Sequence, residues 1–213
     1  MKNIADIRKE YQKQTLLEKD VEGNPILQFD KWWTDALKSE IEEANAMTLA
    51  TATAAGKPSA RIVLLKEYSE KGFVFFSNYE SRKGNELSEN PKACLVFFWK
   101  ELERQIRISG SVERIDSSAS DAYFSSRPKD SQFGAWASPQ SRVIAARESI
   151  EEQSMKYQQQ FGNENIPRPD WWGGYIVKPE TIEFWQGRPG RLHDRIQYTL
   201  QATGDWKIER LAP

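Results

Sequence analysis

The chain has 213 residues, with 30 Lys and Arg against 31 Asp and Glu, one His and one Cys. That length suits one generous domain with a core of its own, and the net charge of −1 argues against a bulk electrostatic grip on nucleic acid or an anionic membrane. One Cys and one His exclude an internal disulfide and leave too few ligands for a His/Cys-built metal site, so no metal is expected.

Residues 1–20 are polar, with Ile4, Ile7 and Tyr11 at helical spacing, and read as a short helix or mobile arm. Residues 21–213 are expected to form a single domain. Asp30 reads as the N-cap of a helix to residue 44, with Trp33, Leu37 and Ile41 on one face. From residue 47 short β-branched and aromatic runs alternate with turn signals, at 47–53, 59–66, 73–78, 93–100 and 105–115. A short helix over 81–88 crosses between the third and fourth runs. Helices are expected over 117–126 and 140–161, joined by a loop over 127–139 that holds two prolines. The end of the chain returns to strands at 174–178, 181–186, 191–200 and 206–210. Strands cluster instead of alternating with helices, which predicts a mainly antiparallel sheet with flanking helices (α+β). Eight or nine short strands suit a closed or nearly closed barrel.

No stretch approaches the ~20 apolar residues of a membrane span, and the N-terminus lacks the apolar core of a signal peptide. The expectation is a cytoplasmic protein without a membrane partner, with which a lone Cys94 agrees.

Neither G-x-G-x-x-G nor G-x-x-x-x-G-K-[ST] occurs, so any phosphate ligand falls to side-chain cations. Four clusters supply them. In the densest, Gly187, Pro189 and Gly190 turn the chain before Arg191, His193 and Arg195. If that stretch is extended, the three share one face, suited to anions and depressing the imidazole pKa. A solvated hairpin with surface arginines is the alternative. Arg61 and Lys66 bracket Ile62, Val63, Leu64 and Leu65. Five apart, they serve one ligand only through a bulge or at the strand's end, and a buried strand with charged ends is the other reading. Arg82 and Lys83 follow Ser81 at a helix start, where cations oppose the dipole unless an anion binds. They read otherwise as a solvated charge pair. Tyr123 and Arg127 share a helix face, with Lys129 and Ser131 beyond Pro128. They suit a phosphate, or Arg127 is a cation at a helix C-terminus. Gln140 and Ser141 offer uncharged hydrogen-bond partners or cap a helix. Cys94 reads as a core residue.

Several segments, in order, resemble the pyridoxamine 5′-phosphate oxidase family: R-K-E-Y near the N-terminus, R-I-V-L-L-K, S-N-Y-E-S-R-K, E-R-Q-I-R-I-S-G, Y-F-S-S-R-P-K-D-S-Q-F-G-A-W-A-S-P-Q-S, W-W-G-G-Y, residues 182–195 and the terminal W-K-I-E-R-L-A-P. The resemblance covers essentially the whole chain. It implies an FMN-binding split β-barrel and a homodimer with FMN at the subunit interface. By position, Arg61, Ile62, Val63, Leu64, Leu65, Lys66, Phe76, Ser77, Arg82, Lys83 and Gln105 would hold FMN. Gln140, Ser141, Trp185 and Arg195 would join from the other subunit. Lys66, Tyr123, Arg127 and Ser131 would meet the substrate phosphate. Arg191 and His193 would sit over the substrate ring as the catalytic pair. Arg8, Lys9, Glu10 and Tyr11 resemble a segment that closes over the substrate. Phe76 stands where relatives often have Tyr. The implied reaction oxidises pyridoxamine or pyridoxine 5′-phosphate to pyridoxal 5′-phosphate with dioxygen, releasing hydrogen peroxide. Another FMN split-barrel reductase, or a barrel that stores flavin or pyridoxal phosphate, are the competing readings.

Overall fold

The computed structural model describes residues 3–7, 9–162 and 165–213. Arg8 lies outside the described residues. The alternating runs fold into nine strands: β1 (Ala46–Ala52), β2 (Pro58–Leu64), β3 (Glu67–Ser69), β4 (Gly72–Asn78), β5 (Lys92–Trp99), β6 (Arg104–Arg114), β7 (Trp172–Gln186), β8 (Asp194–Leu200) and β9 (Trp206–Arg210). The helices among the described residues are α1 (Pro25–Lys38), α2 (Arg82–Glu89), α3 (Ser117–Ser126), α4 (Lys129–Ala137) and α5 (Glu148–Phe161). The strands join in the order β2-β1-β5-β6-β7-β4-β3, with β8 on β7 and β9 on β8. The path does not return on itself, so the sheet is open where a closed or nearly closed barrel was expected. One of its ends is β3, only three residues long, which leaves little unpaired edge.

β7 is one strand of 15 residues, not the two predicted. Its first half pairs with β4 as far as Val177, and its second half pairs with β8 from Thr181. Pro179, which has no N–H to give, falls where the partner changes.

By its packing the chain divides into two units. The first comprises Met1–Leu49, Cys94–Gly110 and Pro179–Pro213. α1 begins here at Pro25, not after Asp30, because the Asn24 side chain accepts from the Ile26 N–H and Pro25 fills the first helical position. The buried face also lies one residue earlier than the predicted stripe. Phe29, Trp32 and Ala36 are buried, while Leu37 is exposed and Ile41 lies beyond the helix. Trp32 meets Phe184 edge-on at 5.1 Å, and Phe29 meets Phe97 at 5.5 Å.

The second unit comprises Ala50–Ala93 and Ser111–Lys178. α4 occupies the predicted loop. Its flanking prolines, Pro128 at the N-cap and Pro139 past the end, delimit a helix and do not interrupt it. Conversely, α5 starts eight residues later than predicted, because the chain turns at Ser141 with φ 72°. Phe124, Phe133, Ile166 and Trp172 form a buried cluster, with Phe76 and Tyr123 packed against it.

Candidate active site

The second unit holds a cavity of about 950 Å³. Among the described residues five cations line it, Arg61, Lys66, Arg82, Lys83 and Arg127, and no carboxylate does. Local structure explains how they converge. β2 ends at Leu64, and Lys66 lies just past it, its backbone N–H donating to the Val74 carbonyl at 2.9 Å. Arg61 and Lys66, of opposite strand parity, thus reach one cavity at the strand's end. Ile62, Val63 and Leu64 also line it, while Leu65 does not, being buried at 4% exposure.

α2 brings Arg82 and Lys83. Ser81 caps it, accepting from the Gly84 N–H. A Cβ at Gly84 would stand 2.0 Å from the Tyr79 carbonyl oxygen, so the first turn lies hard against the backbone after β4. The buried Lys83 ammonium donates to Gln140 Oε1 at 2.8 Å, Ser77 Oγ at 2.9 Å and Ser81 Oγ at 3.2 Å. Burial, with Arg61 nearby, pushes its pKa down to about 8. Ser77, Gln140 and Ser141 are cavity residues of the same chain as Lys83. The resemblance had implied the other subunit for Gln140 and Ser141.

Opposite them, Phe76 stacks on Tyr123 at 3.9 Å and lies 5.5 Å from Trp172. The Arg127 guanidinium sits 4.6 Å from the Trp172 ring, and Lys66 Nζ is 5.9 Å from that of Tyr123. Ser131, from α4, completes this wall. Arg127 Nη1 is buried without a hydrogen-bond partner. An orphaned guanidinium nitrogen is costly unless an anionic ligand receives it.

Two groups escaped the sequence reading. Trp172, beneath Arg127, is one. Glu86 is 3% exposed and gathers Thr51, Ser59, Arg61 and Arg82. Its i,i+4 spacing from Arg82 was the one available signal.

The other predicted residues, apart from Arg8, belong to the first unit. Arg191 is not in a strand. It closes a 3-10 turn, Pro189–Arg191, with φ 62°, and β8 begins only at Asp194. The shared face expected of Arg191, His193 and Arg195 therefore does not arise from strand alternation. His193 packs on Trp185 at 4.6 Å, and its Nδ1 accepts from the Arg188 N–H at 3.1 Å. Burial first, then Arg191, lowers its pKa. Arg195 is taken up by Glu183, at 2.8 and 3.2 Å, and by the Ala212 carbonyl. Tyr11 lies edge-on to Trp185 at 5.8 Å, and Lys9 pairs with Glu103 at 3.6 Å. Glu10 is exposed, and Gln105 is half-buried in β6.

The family profile described as pyridoxamine 5′-phosphate oxidase matches residues 33–161, more than half of the chain. The chain belongs to the pyridoxamine 5′-phosphate oxidase family. A second profile, the pyridoxine 5′-phosphate oxidase C-terminal dimerisation region, matches residues 172–213. The chain is 55% identical to a pyridoxine/pyridoxamine 5′-phosphate oxidase of Trichormus variabilis, over 100% of this chain and 99% of that one. It is 54% identical to one of Cupriavidus pinatubonensis, covering all of both. Among solved structures it is similar to PhzG from Burkholderia lata, in complex with tetrahydrophenazine-1-carboxylic acid. The TM-score is 0.88 at 30% identity, over 94% of this chain and 98% of that one. A pyridoxamine 5′-phosphate oxidase-related, FMN-binding protein of Nostoc punctiforme shares the fold, with TM-score 0.71 at 17% identity, over 91% and 100%. No described helix is long and apolar enough to cross a membrane.

Proposed function

We propose that this oxidase family member converts pyridoxamine or pyridoxine 5′-phosphate to pyridoxal 5′-phosphate with dioxygen, releasing hydrogen peroxide, in vitamin B6 salvage or biosynthesis. The observation that carries the reading is a cavity whose described lining has five cations, no carboxylate and an orphaned guanidinium nitrogen. It suits two phosphates and a flat ring. FMN, the cofactor, fits the half around Arg61, Arg82 and Lys83, where cations and uncharged donors meet. When bound, it supplies a two-electron acceptor that dioxygen reoxidises, a capacity the side chains lack.

The residues of the chain do the rest. Arg127, Lys66, Tyr123 and Ser131 bind the substrate phosphate, which fixes the position of the substrate's reacting carbon. Arg191 and His193 steady the substrate ring. The Arg188 N–H occupies Nδ1 of His193, which places the proton of the neutral imidazole on Nε2. His193 thus acts as a donor that orients, not as a base. The match to a dimerisation region supports a homodimer, in which Trp185, Arg195 and Gln105 complete the cofactor site of the second copy.

The test is spectroscopic. Purified protein is expected to carry a flavin band that pyridoxine 5′-phosphate bleaches without oxygen and air restores, with pyridoxal 5′-phosphate formed. A band that only a different reductant bleaches would turn the assignment toward another flavin reductase. A protein that takes up no FMN would end both.

A further inference from the structure

We propose that Glu86 is a positioning residue that makes the flavin site selective for the phosphorylated cofactor. The inference rests on the reading that Arg61 and Arg82 hold the flavin phosphate. Glu86 is 3% exposed and sits behind the cavity wall, not on it. It ties three elements together. Thr51 of β1 and Ser59 of β2 each donate a hydroxyl to Glu86 Oε2 at 2.5 Å. Arg82 of α2 donates through Nε to Oε1 at 2.9 Å. Arg61 Nη2 lies 3.3 Å from Oε2.

The polarity of this network is fixed by one fact: a carboxylate only accepts. Both hydroxyl hydrogens must point to Glu86, so the oxygens of Thr51 and Ser59 turn their lone pairs outward. Arg61 donates to both, through Nη1 to Thr51 at 2.5 Å and through Nη2 to Ser59. One buried carboxylate thereby clamps Arg61 through two relayed hydroxyls. On its other oxygen it takes only Nε of Arg82. No partner is recorded for the two terminal nitrogens of Arg82 among the described residues. Its fork is held at the stem and left open at the tip. Burial works to raise the Glu86 pKa, but the four donors hold it down at about 2, so the charge persists at every working pH.

A glutamine there has the same shape and the wrong polarity. Its NH₂ group would face either Arg82 Nε or Arg61 Nη2, donor against donor, and in the second case the hydroxyls of Thr51 and Ser59 would turn from donors into acceptors. The hydroxyls would be free to rotate and the guanidiniums to leave their places. The loss falls on a phosphate, which needs both arginines, and not on a flavin without one.

The experiment compares FMN with riboflavin on apoprotein, by flavin fluorescence titration, for wild type, Glu86→Gln, Thr51→Val and Arg61→Ala. Glu86→Gln is expected to weaken FMN roughly 10- to 100-fold, the scale of one or two charged hydrogen bonds. Riboflavin affinity is expected to stay within about twofold, because it makes no phosphate contact. Thr51→Val, which removes one relayed hydroxyl at constant volume, is expected to lower the FMN-to-riboflavin ratio less, and it carries the test if Glu86→Gln does not fold. Equal losses for both flavins would make Glu86 a structural residue and overturn the proposal. An unchanged ratio in Glu86→Gln or Thr51→Val, beside a reduced ratio in Arg61→Ala, would overturn it as well. An unchanged ratio in Arg61→Ala would instead remove the phosphate assignment on which it stands.

Discussion

The two units treat their arginines differently. In the second, five cations line one cavity with no carboxylate among its described lining residues, Glu86 holds Arg61 and Arg82 from behind the wall, and Arg127 keeps a nitrogen with no partner. In the first, carboxylates take the guanidiniums up. Arg195 and Arg107 share Glu183, Arg210 binds Glu18 and Asp194, Arg188 pairs with Asp194, and Arg104 pairs with Asp35. Arginine thus faces a cavity in one region and is tied into the fold in the other, with Arg195 proposed to serve a cofactor as well. What separates the regions is whether the cations also face a cavity, which density of arginine in the sequence does not report. The turn carrying Arg191 is the exception in the first unit: it has no carboxylate partner recorded among the described residues, which suits its proposed place at the substrate.

Substitutions should therefore change different observables in the two regions. The largest effect is expected at Arg127. Arg127→Ala should lower kcat/KM for the phosphorylated substrate about 100-fold or more, the scale of two charged hydrogen bonds. Thermal stability should hold or rise, since a buried unsatisfied donor is removed. Steady-state kinetics beside a melting curve check it, and a large fall in Tm would erase the contrast.

The next effect is a pH dependence at Lys83. Its pKa in the free protein is about 8, and a bound phosphate raises it. Binding then takes up a proton above pH 8, so FMN affinity is full below that value and falls above it. The slope approaches about tenfold per pH unit. Lys83→Arg, which stays charged, should flatten the curve. Titrations from neutral to alkaline pH measure both.

The smallest effect belongs to the paired region. Glu183→Gln should cost about 1–2 kcal/mol of stability, less than a fully buried ion pair because Arg195 and Arg107 are partly exposed. That corresponds to a Tm lower by roughly 2–8 °C for a chain of this size. Calorimetry reads it.

Much of the fold was legible because its signals are local. Residues 93–99 form an unbroken apolar run that reads as a strand, and Ser81 announces α2. Prolines misled where their position mattered more than their presence: Pro128 and Pro139 bound α4, and Pro179 passes through β7. The cap of α1 was placed six residues late, and its buried face one residue off, because Trp32 and Trp33 are equally apolar neighbours. In the site, the cations were legible as residue types. Their convergence was not, since Arg61 and Lys66 meet only because β2 stops at Leu64. Glu86 stayed hidden because Thr51 and Ser59 reach it through sheet pairing, which spacing does not show. His193 was found, but its surroundings depend on a turn with positive φ at Gly190 and Arg191.

The orphaned nitrogen of Arg127 and the mutual repulsion of the cavity cations have a consequence outside catalysis. An anionic ligand there relieves both, so it completes the fold as well as the site. A ligand at 100 times its Kd adds about 2.7 kcal/mol to a protein that binds it only when folded. The ligand-free chain is then the form that opens and meets proteases first. With the proposed flavin and B6 phosphates as those ligands, resistance to proteolysis is expected to rise with their supply.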